Sequence, residues 1–164
     1  MKKVLKIAVW SAFVFYCLAL IYIFVIKRLN NPTGHYGNIK EFFVFSNFIP
    51  LKTVYDYIEK IINNHINLDT AIVNLVGNLI VFLPMGCFLP FRFEKMRRFK
   101  KTILLVLGIV LFIELAQIIL GLGSFDIDDI IFNVCGAIIG YALACIPFIK
   151  QLYNNIFPFN TSVK

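Results

Sequence analysis

The stretch KTILLVLGIVLFIELAQIILGLG, residues 101–123, decides how the rest of the chain is read. After the lysine at its start it holds one charged residue, Glu114, with Gln117 three positions further on. About 20 consecutive apolar residues are what an α-helix needs to cross a ~30 Å hydrocarbon layer. A carboxylate at the centre of such a helix costs roughly 2.5–3.5 kcal/mol on the insertion scale. Polar groups on neighbouring helices, or at the rim of the bundle, are therefore expected to receive Glu114.

Working outward, the quoted run spans about residues 102–120, and three more resemble it: 4–26, about 70–90 and about 127–149. Only 15% of the 164 residues are charged, against roughly 25% in soluble domains. Four such runs leave little chain for a separate water-soluble core. The expected fold is all-α: a small polytopic membrane helix bundle with four transmembrane helices. One domain, 1–150, includes the connection 27–69, and a short tail follows at 151–164. Lys2 and Lys3 could head a signal peptide, but the apolar run behind them is too long and no small-x-small site follows it. It is read as a retained span. Cys17, Cys87, Cys135 and Cys145 form no CxxC pair and read as small buried hydrophobes.

The net charge of +7 is not a nucleic-acid signal. Six basic residues, Arg92, Lys95, Arg97, Arg98, Lys100 and Lys101, crowd the connection between the second and third runs. Short basic loops stay cytoplasmic and sit against anionic lipid. With Lys2, Lys3 and Lys6 at the start and Lys150 near the end, both termini are expected inside a bacterial cell membrane. The connections 27–69 and GLGSFDIDD (residues 121–129) are then expected outside.

The longer connection has its own pattern. EFFVFSNFIPL, residues 41–51, is rich in Phe and is expected to lie among headgroups or fold back on the bundle. In VYDYIEKIINNH, Val54, Tyr57, Ile58, Ile61 and Ile62 recur at three and four residues. That spacing predicts a short amphipathic extracytoplasmic helix.

Polar residues converge at one depth. Asn74 and Asn78, four apart, share a face with Thr70 one turn before them. Asn78 enters roughly 12 Å at 1.5 Å per residue. Glu114 and Gln117 fall in the outer half of their span, and Asp126, Asp129 and Asn133 open the next. Such amides can simply hold helices together, and Gly77, Gly136 and Gly140 would let helices approach closely. Glu114 with Asp126, Asp128 and Asp129 asks for more. No basic residue lies in runs two to four away from their ends. Either Glu114 is protonated, or Lys40, Lys52, His35 or His65 folds down, or a cation binds. All-oxygen ligands would favour a hard metal. No cofactor is implied. Ser46 and Ser124 have no recognisable base, so catalysis has no nucleophile to point to.

The fragments SNFIPL, NLVGNLIVFLPMGCFLP, IELAQ and FDIDDIIFNVCGAIIG follow one another between Ser46 and Gly140. In that order and spacing the chain resembles the VanZ-like family of bacterial membrane proteins, named for a protein associated with teicoplanin resistance. The resemblance implies that Asn47, Pro50, Asn74, Gly77, Asn78, Pro84, Gly86, Glu114, Gln117, Asp126, Asp129, Asn133 and Gly136 occupy the family's motif positions. It also marks a departure: the family often carries an arginine where this chain has Gly123, which would move the counter-charge to the connection 27–69. The resemblance implies a cell-envelope protein whose outer site meets a lipid or lipid-linked cell-wall precursor, with a link to glycopeptide tolerance. Glu114, Gln117, Asp126, Asp129, Asn133, Asn74, Asn78 and Asn47 are the candidate ligand-binding residues. Phe42, Phe43, Phe45 and Phe48 would hold the ligand's apolar part. Two other readings stand beside it: an intramembrane enzyme acting on a lipid-linked substrate, and a structural subunit of a homo-oligomer or larger membrane complex.

Overall fold

The computed structural model describes residues 2–30 and 43–156, apart from the side chains at positions 2, 27, 70 and 154. The first span begins as α1 (Lys2–Ile21), widens into a π turn at Tyr22–Ile26, and finishes in a single turn, α2 (Lys27–Asn30). It therefore runs to Asn30, beyond the apolar run that marks it in the sequence. A π turn closes i→i+5 hydrogen bonds and shifts the phase of the residues after it. Arg28 lies directly beyond that shift.

Of the two placements expected for residues 41–51, the described part folds back on the bundle. Asn47 pairs its backbone with the segment before the fourth span: Asn47 N–H donates to Phe125 O at 2.7 Å, and Ile127 N–H to Asn47 O at 2.9 Å. The Phe48 and Phe125 rings stack at 5.0 Å. Next comes the amphipathic helix α3 (Lys52–Ile62). Val54, Tyr57 and Ile61 are half-buried, while Ile58 and Ile62 stay exposed.

The second span is two helices, α4 (Leu68–Val81) and α5 (Leu83–Arg92), broken at Phe82. Pro84 causes the break, having no N–H and fitting only a first helical turn. The Tyr16 hydroxyl donates to Val81 O at the break, at 2.7 Å. Pro90 sits inside α5, and the helix continues to Arg92. A short 3₁₀ turn, Glu94–Arg97, leads to the third span, α6 (Phe99–Ile119). The fourth, α7 (Ile127–Cys145), stops before Pro147. Pro147 opens a separate amphipathic helix, α8 (Pro147–Ile156), where the apolar run had suggested one span to residue 149. All four spans, Lys3–Asn30, Ala71–Arg92, Phe99–Ile119 and Ile127–Cys145, are long and apolar enough to cross a membrane.

Helix α7 is the centre of the bundle, packing chiefly on α5, then α4 and α6. A Cβ on Gly136 would meet Leu79 O, one on Gly140 would meet Leu83 O, and one on Gly86 would meet Ala137 O. These backbones touch because no side chain separates them, which is how membrane helices gain dispersion contact. Gly77 differs from the expectation of close approach: a Cβ there would find open space. The cysteines are free thiols and not core-buried: Cys17, Cys87 and Cys135 are half-buried and Cys145 is exposed.

Candidate functional site

The acidic end of the bundle, opposite the basic Arg92–Lys101 connection, gathers the polar residues into two layers. The upper layer pins the connection to α7. Asp126 caps α7, its Oδ1 accepting from Asp128 N–H at 2.8 Å. Asp128 is 1% exposed. Its Oδ1 accepts from Leu51 N–H at 2.5 Å and its Oδ2 from Thr53 N–H at 2.8 Å. A carboxylate of one helix thus caps the N-terminus of another, α3, where the helix dipole favours negative charge. The Thr53 hydroxyl donates to Asp126 Oδ2 at 2.6 Å, and Asn47 Nδ2 reaches Asp126 Oδ1 at 3.0 Å. Asn47 Oδ1 in turn accepts from Ile49 N–H at 3.0 Å. Asn47, expected to bind ligand, is a clamp within the protein.

Asp128→Asn should loosen this clamp, because its amide would turn a donor toward donors. One buried unsatisfied group costs about 1–3 kcal/mol. The expected result is faster hydrogen exchange at the Leu51 and Thr53 amides, with the four spans still protected.

The lower layer lies between the helices. Asn78 Nδ2 donates to Asp129 Oδ1. Asn133 Nδ2 donates to the Asp129 carbonyl at 2.7 Å. Gln117, 1% exposed, donates through Nε2 to Phe24 O in the π turn at 2.9 Å. Its Oε1 accepts from Arg28 Nη1, also at 2.9 Å. Glu114 is 2% exposed and sits within electrostatic reach of Arg28, Asp129 and Asp126. Among the described residues, Glu114 Oε2 and Asn133 Oδ1 are buried without a hydrogen-bond partner.

Arg28 is therefore the counter-charge. It lies in the last turn of the first span and is none of Lys40, Lys52, His35 or His65, the residues expected to fold down. A Cβ on Gly123 would fall on Arg28 Nη1, so the guanidinium fills the space that a side chain at 123 would take. Lys52 and His65 are exposed. His35, Lys40 and Phe42 lie outside the described residues.

Above this layer a cleft of about 540 Å³ opens between the first span and α4. Arg28 and Phe24 line one wall, Asn74, Gly77 and Asn78 the other, with Asp126, Asp129 and Ser124 also reaching it. Tyr57 of α3 comes to the same place, hydrogen-bonded to Asn74. Burial pushes the Tyr57 hydroxyl above its usual range, and Asp129 and Asp126 push the same way against the Asn74 bond. The phenol therefore stays protonated as a neutral donor. A second, apolar groove of about 290 Å³ runs between the first span and α6, sharing Phe24 with the cleft and reaching Gln117.

Of the candidate residues, Asn74, Asn78, Asp126 and Asp129 line the cleft, while Glu114, Gln117 and Asn133 form the layer beneath. Phe43 and Phe45 are exposed. Among the described residues no group of three or more His, Cys, Asp or Glu could hold a metal ion. Sequence reasoning missed Arg28, Tyr57, Thr53 and the buried role of Asp128. Arg28 lay hidden because it follows the apolar run by two residues. Tyr57 lay hidden because its helical spacing assigns it to an apolar face.

Fold and site together define a polytopic membrane helix bundle that carries a charged, hydrogen-bonded cluster between its spans. The VanZ/LLP1 family model matches residues 13–150, and the chain belongs to that family. No curated protein and no solved structure matches it.

Proposed function

We propose that the cleft binds the polar head of an amphiphile, a membrane lipid or a lipid-linked cell-wall precursor, whose chain lies in the apolar groove. The carrying observation is the lining: Arg28 on one wall, Asp126 and Asp129 facing the same space, and Phe24 shared with the apolar groove. Both signs of charge suit a head that carries an anionic group together with ammonium or hydroxyl donors. A single-sign ligand would meet one like charge at close range. Glu114, Gln117 and Asn133 hold the walls from beneath by orienting Arg28 and Asp129. Family membership supports a general part in the cell envelope and antibiotic tolerance. The basic connection supports cytoplasmic termini and, with them, a cleft at the outer leaflet.

Gly77 provides the test. Gly77 lines the cleft, and a Cβ there meets no described atom within 4 Å, so Gly77→Leu should block the ligand and leave the fold intact. Native mass spectra of nanodisc-embedded protein should show a retained amphiphile on wild type and none on G77L. Thermal stability without ligand should be equal or slightly higher, since a helical glycine costs about 0.5–1 kcal/mol. The same adduct on both proteins would remove the cleft from this role. Two carboxylates at one cleft favour a second reading, acid–base chemistry on a lipid-linked substrate. It requires that Asp129→Asn lose turnover while keeping the adduct.

A further inference from the structure

At the opposite, basic end, a groove of about 760 Å³ follows one face of α1. Lys3 and Lys6 lie toward its start, Arg92 of α5 reaches in beside Trp10, and Phe15 and Leu18 continue it. Among the described residues, no acidic side chain lines it. The Arg92 guanidinium rests over the Trp10 ring at 4.9 Å and the Phe93 ring at 5.5 Å. Its Nε is buried with no hydrogen-bond acceptor among the described residues.

We propose that this groove is a site for one anionic phospholipid, with its phosphate among Lys3, Lys6 and Arg92 and an acyl chain along Val14, Phe15 and Leu18. Charge complementarity requires the anion. The apolar length requires the lipid: Lys3 to Leu18 spans about 22 Å along the helix, close to one ~15 Å hydrocarbon leaflet plus a headgroup. The site is independent of the cleft at the acidic end. It also differs from the diffuse pull of the basic connection, because three cations converge on one concave surface beside a ring that fixes the guanidinium.

Trp10 is the only tryptophan in the chain, so its fluorescence reports this groove alone. The protein is reconstituted in phosphatidylcholine nanodiscs with small fractions of lipid brominated on its acyl chains. Brominated phosphatidylglycerol should quench Trp10 at a fraction at least about tenfold below brominated phosphatidylcholine, and saturate, since each nearby cation contributes roughly fivefold. Lys3→Gln with Lys6→Gln, at roughly fivefold per cation, should erase up to about 25-fold and so most or all of that preference. Lys95→Gln with Lys100→Gln removes the same charge outside the groove and should keep it. Circular dichroism confirms that both variants are folded. Equal quenching by the two lipids, or equal loss in the two variants, reduces the attraction to a diffuse one and overturns the proposal. No quenching by either lipid means that protein covers Trp10, which also overturns it. Relief of quenching by millimolar inorganic phosphate would assign the site to a free anion and overturn the lipid.

Discussion

Gly136→Leu should lose at least about 4 kcal/mol of stability, a size that single substitutions reach only through a named structural failure. The failure is a collision of backbone with side chain. A Cβ at 136 lands on the Leu79 carbonyl, which belongs to a helix and cannot swing aside. α7 would have to lift from α4, opening the Gly140–Leu83 and Gly86–Ala137 approaches on the same line. Ordinary overpacking costs about 1–3 kcal/mol because side chains re-rotamer, and that escape is missing here. The measurement is thermal unfolding in detergent followed by circular dichroism and size exclusion. Gly108→Ala is the matched control: nothing lies within 4 Å of its Cβ, so it should be neutral or slightly stabilising. A G136L protein that melts with wild type would mean that α4 and α7 do not pack as described.

Arg28→Gln should be the second-largest effect, about 3–5 kcal/mol, the usual cost of removing one partner from a buried charge cluster. Glutamine can still hydrogen-bond, so what disappears is the positive charge facing Glu114 and Asp129. Adding Glu114→Gln to the same chain should recover part of the loss, with a coupling of about 0.5–3 kcal/mol for groups in one network. Gly123→Ala should act in the same direction but less, since its methyl meets Arg28 Nη1, the far end of a flexible side chain. All are read by unfolding in detergent at fixed ionic strength. Strict additivity of R28Q and E114Q would show that the two groups do not sense each other.

The membrane bundle was legible early because hydropathy is a summed property. Runs such as residues 101–123 declare a span regardless of what packs beside them. The break at Phe82 has an equally local cause, since the missing N–H of Pro84 acts on its own turn. Glycine shows the limit. Gly77 and Gly136 look alike in the sequence, yet one lines an open cleft and the other seats a backbone. The aspartates show it again. Asp126, Asp128 and Asp129 stand within four residues, but Asp128 points into the α3 cap while Asp129 meets Asn78 and the cleft. Helical phase separates neighbours by about 100°, and the partners that wait at each angle come from distant parts of the chain.

By itself, the sequence determined the four spans, the amphipathic helix after Leu51 and the convergence of amides and carboxylates at one end, because length, periodicity and the cost of burying charge act along the chain. Only the tertiary structure decided which charge answers Glu114. The π turn at Tyr22–Ile26 re-aims the end of the first span and sets Arg28 against Gln117, over a glycine whose missing side chain leaves the space. That outcome depends on the relative phase and separation of helices 89 residues apart at Arg28 and Gln117. Packing sets those quantities, and no local pattern encodes them.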